Sequence, residues 1–138
     1  MISSETKIRV RYADTDQMKI VYYGRYFEYF EQGRSDLLRQ IGMPYPEIEK
    51  MGFMLPVIEA HAEYRQPAVY DDEITVRTIL EEIPQAKVII KYLIFRADLS
   101  EPIVIGHTIH SFVQIGKKIP IRPPRDFIEV VEKQFLRI

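Results

Sequence analysis

The sequence contains no cysteine. That absence excludes disulfides, thiolate metal sites and a cysteine nucleophile, and it is compatible with a reducing compartment. Net charge is also scarce, −1 in all, so no global basic field points to nucleic acid or to an anionic membrane. Long apolar runs are missing. The N-terminal stretch MISSETKIRVRY lacks the apolar core of a signal peptide. No window approaches the roughly 20 apolar residues of a membrane span. His61, His107 and His110 are not at metal-ligand spacing with other ligands, so no metal site is expected and each is read as a surface or satisfied core residue. No repeat, low-complexity segment or linker divides the chain. The expectation is a soluble cytoplasmic protein with one domain, 1–138.

What the chain does have is apolar mass. It is 138 residues long, 46% hydrophobic, with nine Tyr and seven Phe, enough for a core of its own. Lys7 to Tyr12 alternates apolar and basic residues, as in a strand with one buried face. Asp14, Thr15 and Asp16 break that pattern and suit a turn or cap. From Tyr23 to Ile41 the period becomes helical, with Tyr23, Phe27, Phe30, Leu37, Leu38 and Ile41 near one face. Gly33 in mid-helix costs about 1 kcal/mol relative to alanine, which points to close packing on a sheet. Gly42 and Pro44 give the stop signal.

Pro46 to Met51 suits a short helical turn. Leu55–Tyr64, Glu73–Glu81, Lys87–Ala97 and Ile103–Ile115 read as strands, with Gly106 as a bulge candidate. A terminal helix is expected over Arg125–Phe135. Short turns between strands argue for an antiparallel sheet, and the long helix must bury its stripe on one face of it. The fold class is α+β.

The functional candidates cluster where strand gives way to helix. Asp14 and Asp16, two apart, would share a face in strand geometry. A helix start offers unsatisfied N–H groups and partial positive charge for an oxyanion. A carboxylate beside it can act as base or nucleophile on a carbonyl. The same acids also suit a helix cap, and this spacing alone does not choose.

The stretch RYADTDQMKIVYYGRYFEYFE, Arg11 to Glu31, resembles the signature of the 4-hydroxybenzoyl-CoA thioesterase-like branch of the hotdog-fold superfamily. The resemblance continues through Pro56 to Glu73 and returns in Gly106 to Val113. It implies a hotdog fold, an antiparallel sheet wrapped around one long helix, and hydrolysis of an acyl-CoA thioester without a cofactor. Asp16 matches the catalytic acid and Tyr23 the residue whose backbone N–H polarises the thioester carbonyl. Asp14 becomes a supporting residue. The resemblance further implies a homodimer or homotetramer joined edge to edge, with Met54, Pro56 and Val57 approaching the site from the partner subunit. Glu59, Tyr26 and Phe30 are candidate pocket residues. Lys87, with Lys117, Lys118, Arg122 and Arg125, is a candidate for the diphosphate of coenzyme A. An acyl carrier protein is the other carrier to consider. A non-catalytic acyl-CoA sensor and a hotdog hydratase or dehydratase are the alternative functions. Two departures stand out: Lys19 where relatives commonly carry glycine, strained if that loop needs a positive φ, and Tyr23 where many carry histidine.

Overall fold

The computed structural model describes residues 1–136. β1 (Ile2–Arg9) is followed by a 3₁₀ turn at Tyr12–Asp14, α1 (Arg25–Gln40) and α2 (Tyr45–Lys50). Then come β2 (Phe53–Met54), β3 (Val57–Tyr64), β4 (Glu73–Leu80), β5 (Val88–Arg96) and β6 (Val104–His110). The short strands β7 (Phe112–Gln114) and β8 (Pro120–Ile121) and the helix α3 (Arg125–Phe135) complete the chain.

Five strands form one antiparallel sheet in the order β1-β4-β5-β6-β3. Alternation in β4 and β5 sends Ile74, Val76, Thr78 and Leu80, and Val88, Ile90, Tyr92 and Ile94, to the buried side. α1 lies across that face, as the two glycines make plain. A Cβ at Gly33 would collide with Thr78 Oγ1 and stand 2.9 Å from Val76 Cγ1. A Cβ at Gly106 would stand 2.5 Å from the Phe30 ring and 2.6 Å from the His61 carbonyl. Gly33 therefore carries the close packing its helical position suggests, and this is the hotdog arrangement.

Three local expectations need correction. α1 starts at Arg25, and Tyr23 and Gly24 form a turn before it. Its buried residues are Tyr26, Tyr29, Phe30, Gly33, Leu37 and Leu38; Tyr23 is 60% exposed. The aromatic run Tyr22–Tyr23 mimics a helical stripe, but burial of Tyr26 and Tyr29 fixes the rotation. Gly106 is not a bulge; it pairs regularly with Ala62 and Tyr92 and makes room for Phe30. The irregularity falls in β3, between Val57 and Glu59. Finally, Ile103–Ile115 is not one strand. It breaks at Ser111, and β7 joins β2 and β8 in a separate three-stranded sheet.

A buried polar chain runs under the sheet. Arg34 Nη1 donates to Tyr92 OH at 3.1 Å. Tyr92 OH and Thr108 Oγ1 stand 2.6 Å apart, and Thr108 Oγ1 lies 2.8 Å from His110 Nε2. His110 Nδ1 reaches the Leu55 carbonyl at 3.2 Å. Arginine can only donate and a carbonyl can only accept. The Nδ1 of His110 therefore carries a proton toward Leu55. Burial lowers the His110 pKa to about 4, so at neutral pH its Nε2 is bare and accepts from Thr108, which leaves Tyr92 donating to Thr108. His110 is thus a neutral, satisfied core histidine.

Candidate active site

The two aspartates part company. Asp14 ends the 3₁₀ turn and is 2% exposed. Its Oδ2 accepts from the Arg11 N–H at 3.1 Å and from Tyr29 OH at 2.9 Å, and its Oδ1 from Arg11 Nη2 at 3.2 Å. Burial raises its pKa, but the bonds from the Arg11 backbone, Tyr29 and the Arg11 guanidinium outweigh it and hold the carboxyl below its usual range. This acid is an anchor. The shared face expected from strand geometry does not exist, because residues 12–14 are a 3₁₀ turn.

Asp16 sits at the base of a tight hairpin. Thr15 bridges to Val21. The Asp16 N–H donates to the Ile20 carbonyl at 3.0 Å, and the Asp16 carbonyl accepts from Lys19 N–H at 2.9 Å. The Met18 N–H donates to Asp16 Oδ1 at 2.8 Å, the local bond aspartate makes to its own turn. That bond aims the carboxylate and occupies one oxygen. Oδ2 accepts no hydrogen bond among the described residues.

The hairpin requires a left-handed residue at position 19, and Lys19 has φ 64°. The loop does need a positive φ, and Lys19 is strained there. Lys19→Gly is expected to raise stability by about 0.5–1 kcal/mol, the relief of that strain less the greater freedom of glycine in the unfolded chain. Urea denaturation checks it.

The turn before α1 holds the Tyr23 N–H. The Tyr22 N–H bonds to the Asp14 carbonyl at 2.9 Å, and the Tyr22 carbonyl accepts from Arg25 N–H at 2.9 Å. The second bond polarises the same peptide group that carries the Tyr23 N–H. The N–H groups of Tyr23 and Gly24 meet no protein acceptor among the described residues.

Asp16 and Tyr23 line one cavity of about 360 Å³ with Met18, Val21, Tyr26 and Tyr64. Its wall also takes Arg65, Gln66 and Pro67 from the segment that follows β3. Burial pushes the Tyr26 hydroxyl up to about 12, so it stays neutral. Of the other candidates, only Tyr26 joins this wall. Phe30 is fully buried, its ring stacked on Tyr92 at 4.3 Å, and does not line the cavity. Glu59 is exposed and pairs with His107 at 3.0 Å. Met54, Pro56 and Val57 are exposed and outside the cavity of their own chain. Lys87 lines a different depression, at the β4–β5 turn. Lys117, Lys118 and Arg122 are exposed, and Arg125 pairs with Glu129 at 3.0 Å. Among the described residues no three of His, Cys, Asp and Glu stand together as metal ligands.

Sequence reasoning missed Tyr64, Arg65, Gln66 and Met18 as wall residues. Tyr64 had one usable signal: it shares a strand face with Ala60 and Ala62, the side opposite Glu59 and His61. Which helix turn it meets depends on the long-range placement of β3.

Residues 10–134 match the family described as the thioesterase-like superfamily. A protein of Aquifex aeolicus provisionally named an esterase is 34% identical over 124 residues, 90% of this chain and 94% of its own. A Bacillus subtilis protein, YneP, provisionally named an acyl-CoA thioesterase, is 37% identical over 92 residues, 67% of each chain. The crystal structure of a DHNA-CoA thioesterase from Staphylococcus aureus superposes with a TM-score of 0.90 at 32% identity, covering 99% of this chain and 93% of that one.

Proposed function

The chain belongs to the thioesterase-like superfamily, is a thioester hydrolase, and we propose that it cleaves acyl-CoA thioesters with Asp16 and the Tyr23 N–H as its working groups. The observation that carries this reading is the meeting of Asp16 and Tyr23 in the wall of one cavity. Among the described residues Asp16 Oδ2 accepts no hydrogen bond, and the Tyr23 N–H meets no protein acceptor.

The chemistry follows from those two groups. The thioester carbonyl points its oxygen at the Tyr23 N–H, which receives the charge that develops there. Asp16 either takes a proton from water as the water adds to the carbonyl carbon, or adds directly and is released by water afterwards. In both routes the C–S bond breaks and the thiol leaves with a proton. No step calls for a cofactor. Tyr26 and Tyr64, with Val21 and Met18, offer an aromatic and apolar wall to the acyl group.

Assembly belongs to the same proposal. β3 is an edge strand, and all its residues but Ala62 are exposed. A long open edge is a template for pairing. Pairing β3 with the same strand of a second copy gives a homodimer, and Met54, Pro56 and Val57 then approach the partner's cavity. No helix among the described residues is long and apolar enough to cross a membrane.

The test is thiol release from acyl-CoA of graded chain length and from aryl-CoA, with an acyl-carrier-protein thioester in parallel. Turnover of at least one CoA thioester is expected. Tight acyl-CoA binding without thiol release identifies a sensor instead, and turnover of the carrier-protein thioester alone reassigns the carrier.

A further inference from the structure

The turn that holds the Tyr23 N–H lies outside α1 and has no side-chain cap, since Gly24 occupies the N-cap position. Its backbone is tied at both flanks, at Tyr22 through the Asp14 carbonyl and the Arg25 N–H, and at Gly24 through a 3.3 Å bond from the Phe27 N–H. At Tyr23 itself the carbonyl accepts a long bond from Tyr26 N–H, 3.3 Å. Among the described residues a single side chain bonds the Tyr22–Gly24 backbone. It is Tyr64, whose hydroxyl donates to the Tyr23 carbonyl at 3.0 Å across 41 residues of sequence.

Tyr64 is well built for that bond. It is the last residue of β3, paired with Val104 in the sheet. Its ring packs 5.4 Å from Tyr26 and 6.4 Å from Tyr23, centroid to centroid, so the hydroxyl is delivered by a ring held between two others. The ring also forms part of the cavity wall. The N–H and carbonyl of Tyr23 flank one Cα. Fixing the carbonyl therefore narrows the backbone rotation at Tyr23, and with it the directions its N–H can take. An oxyanion donor works only when it already points to where charge develops, and a small misplacement is expensive in rate.

We infer that Tyr64 is a positioning residue of the hydrolytic site: its hydroxyl, bonded to the Tyr23 carbonyl, sets the direction of the Tyr23 N–H toward the thioester oxygen. The inference rests on the roles of Asp16 and Tyr23 proposed above and adds a third residue that touches neither the reacting carbon nor the attacking oxygen.

Two variants separate hydroxyl from ring. Tyr64→Phe keeps the wall and removes the bond; kcat should fall about fivefold, the worth of one hydrogen bond, with KM moving less than about twofold. Tyr64→Leu removes the ring as well and should raise KM in addition. Tyr70→Phe, at an exposed tyrosine outside the cavity, should leave both constants unchanged. Amide hydrogen exchange at Tyr22 and Arg25, whose N–H groups hold the turn through 2.9 Å bonds to the Asp14 and Tyr22 carbonyls, should quicken in Tyr64→Phe, a local loosening that loss of wall contact does not produce. Wild-type kcat in Tyr64→Phe, or a raised KM with kcat intact, overturns the inference. Asp16→Asn is assayed alongside: if it is inactive while Tyr64→Phe is normal, only the role of Tyr64 fails. If Asp16→Asn turns over like wild type, the roles of Asp16 and Tyr64 fail together.

Discussion

Asp16→Asn is expected to lower kcat for thioester hydrolysis by about 10²–10⁴-fold, the range for removing a general base. KM should change little, because the substitution removes no wall of the cavity. The fold should survive. The amide oxygen of asparagine can still accept the Met18 N–H, now 2.8 Å from Asp16 Oδ1, so the hairpin keeps its turn bond. A melting temperature close to wild type, measured beside the rate, separates lost chemistry from lost structure. The matching substitution at Asp14 behaves differently. Asp14 is buried under Arg11 and Tyr29, so Asp14→Asn lowers stability before it touches rate. Equal turnover in wild type and Asp16→Asn removes Asp16 from the mechanism.

The second large effect is on stability and comes from His110. Burial, with the nearby Arg34 charge, lowers its pKa from 6.5 to about 4, against a smaller opposing pull from the Leu55 carbonyl. The folded-state value is depressed, so between those values the unfolded chain binds a proton that the folded chain refuses. The contribution is therefore complete above about pH 6.5 and is lost progressively as pH falls toward 4, amounting to about 3 kcal/mol. Urea unfolding from pH 7.5 down to 4.5 should show that slope. His110→Gln should be less stable at neutral pH yet markedly flatter across the same window, since glutamine does not titrate. An equally steep wild-type and variant profile would assign the slope to other groups.

The two effects come from residues of very different legibility. Alternation and turn residues define β4, β5 and α3 closely, because side-chain period and Pro or Gly punctuation are local. Gly33 even announces the helix–sheet contact it makes with Val76 and Thr78. Local signals fail where partners are distant. The order β1-β4-β5-β6-β3 places β3 beside β6 and away from β4, its successor in sequence, and no periodicity encodes that. The start of α1 was blurred because Tyr22 and Tyr23 continue the aromatic pattern of Tyr26 and Phe27, while the turn at Tyr23–Gly24 depends on Tyr22 bonding to the Asp14 carbonyl.

The site shows the same division. Asp16 and Tyr23 are only seven residues apart, and their meeting is a local event of one hairpin and one turn. Resemblance singled them out where the spacing alone could not separate Asp16 from Asp14. Their difference is visible only in three dimensions, where Tyr29 and Arg11 claim Asp14. Phe30, a candidate pocket residue from the aromatic row, lies in the core, where Gly106 opens the sheet beside its ring. Tyr64 lies 41 residues from Tyr23, beyond the reach of any pattern.

In the proposed mechanism one thioester carbonyl sits between the Asp16 carboxylate and the Tyr23 N–H. The most direct measurement is a crystal structure of the Asp16→Asn variant holding an intact acyl-CoA that the wild type hydrolyses. The expected result is a carbonyl oxygen within about 3 Å of the Tyr23 nitrogen, with the side chain at position 16 beside the carbonyl carbon. A thioester bound in another cavity, or with its carbonyl oxygen turned away from Tyr23, rules this mechanism out.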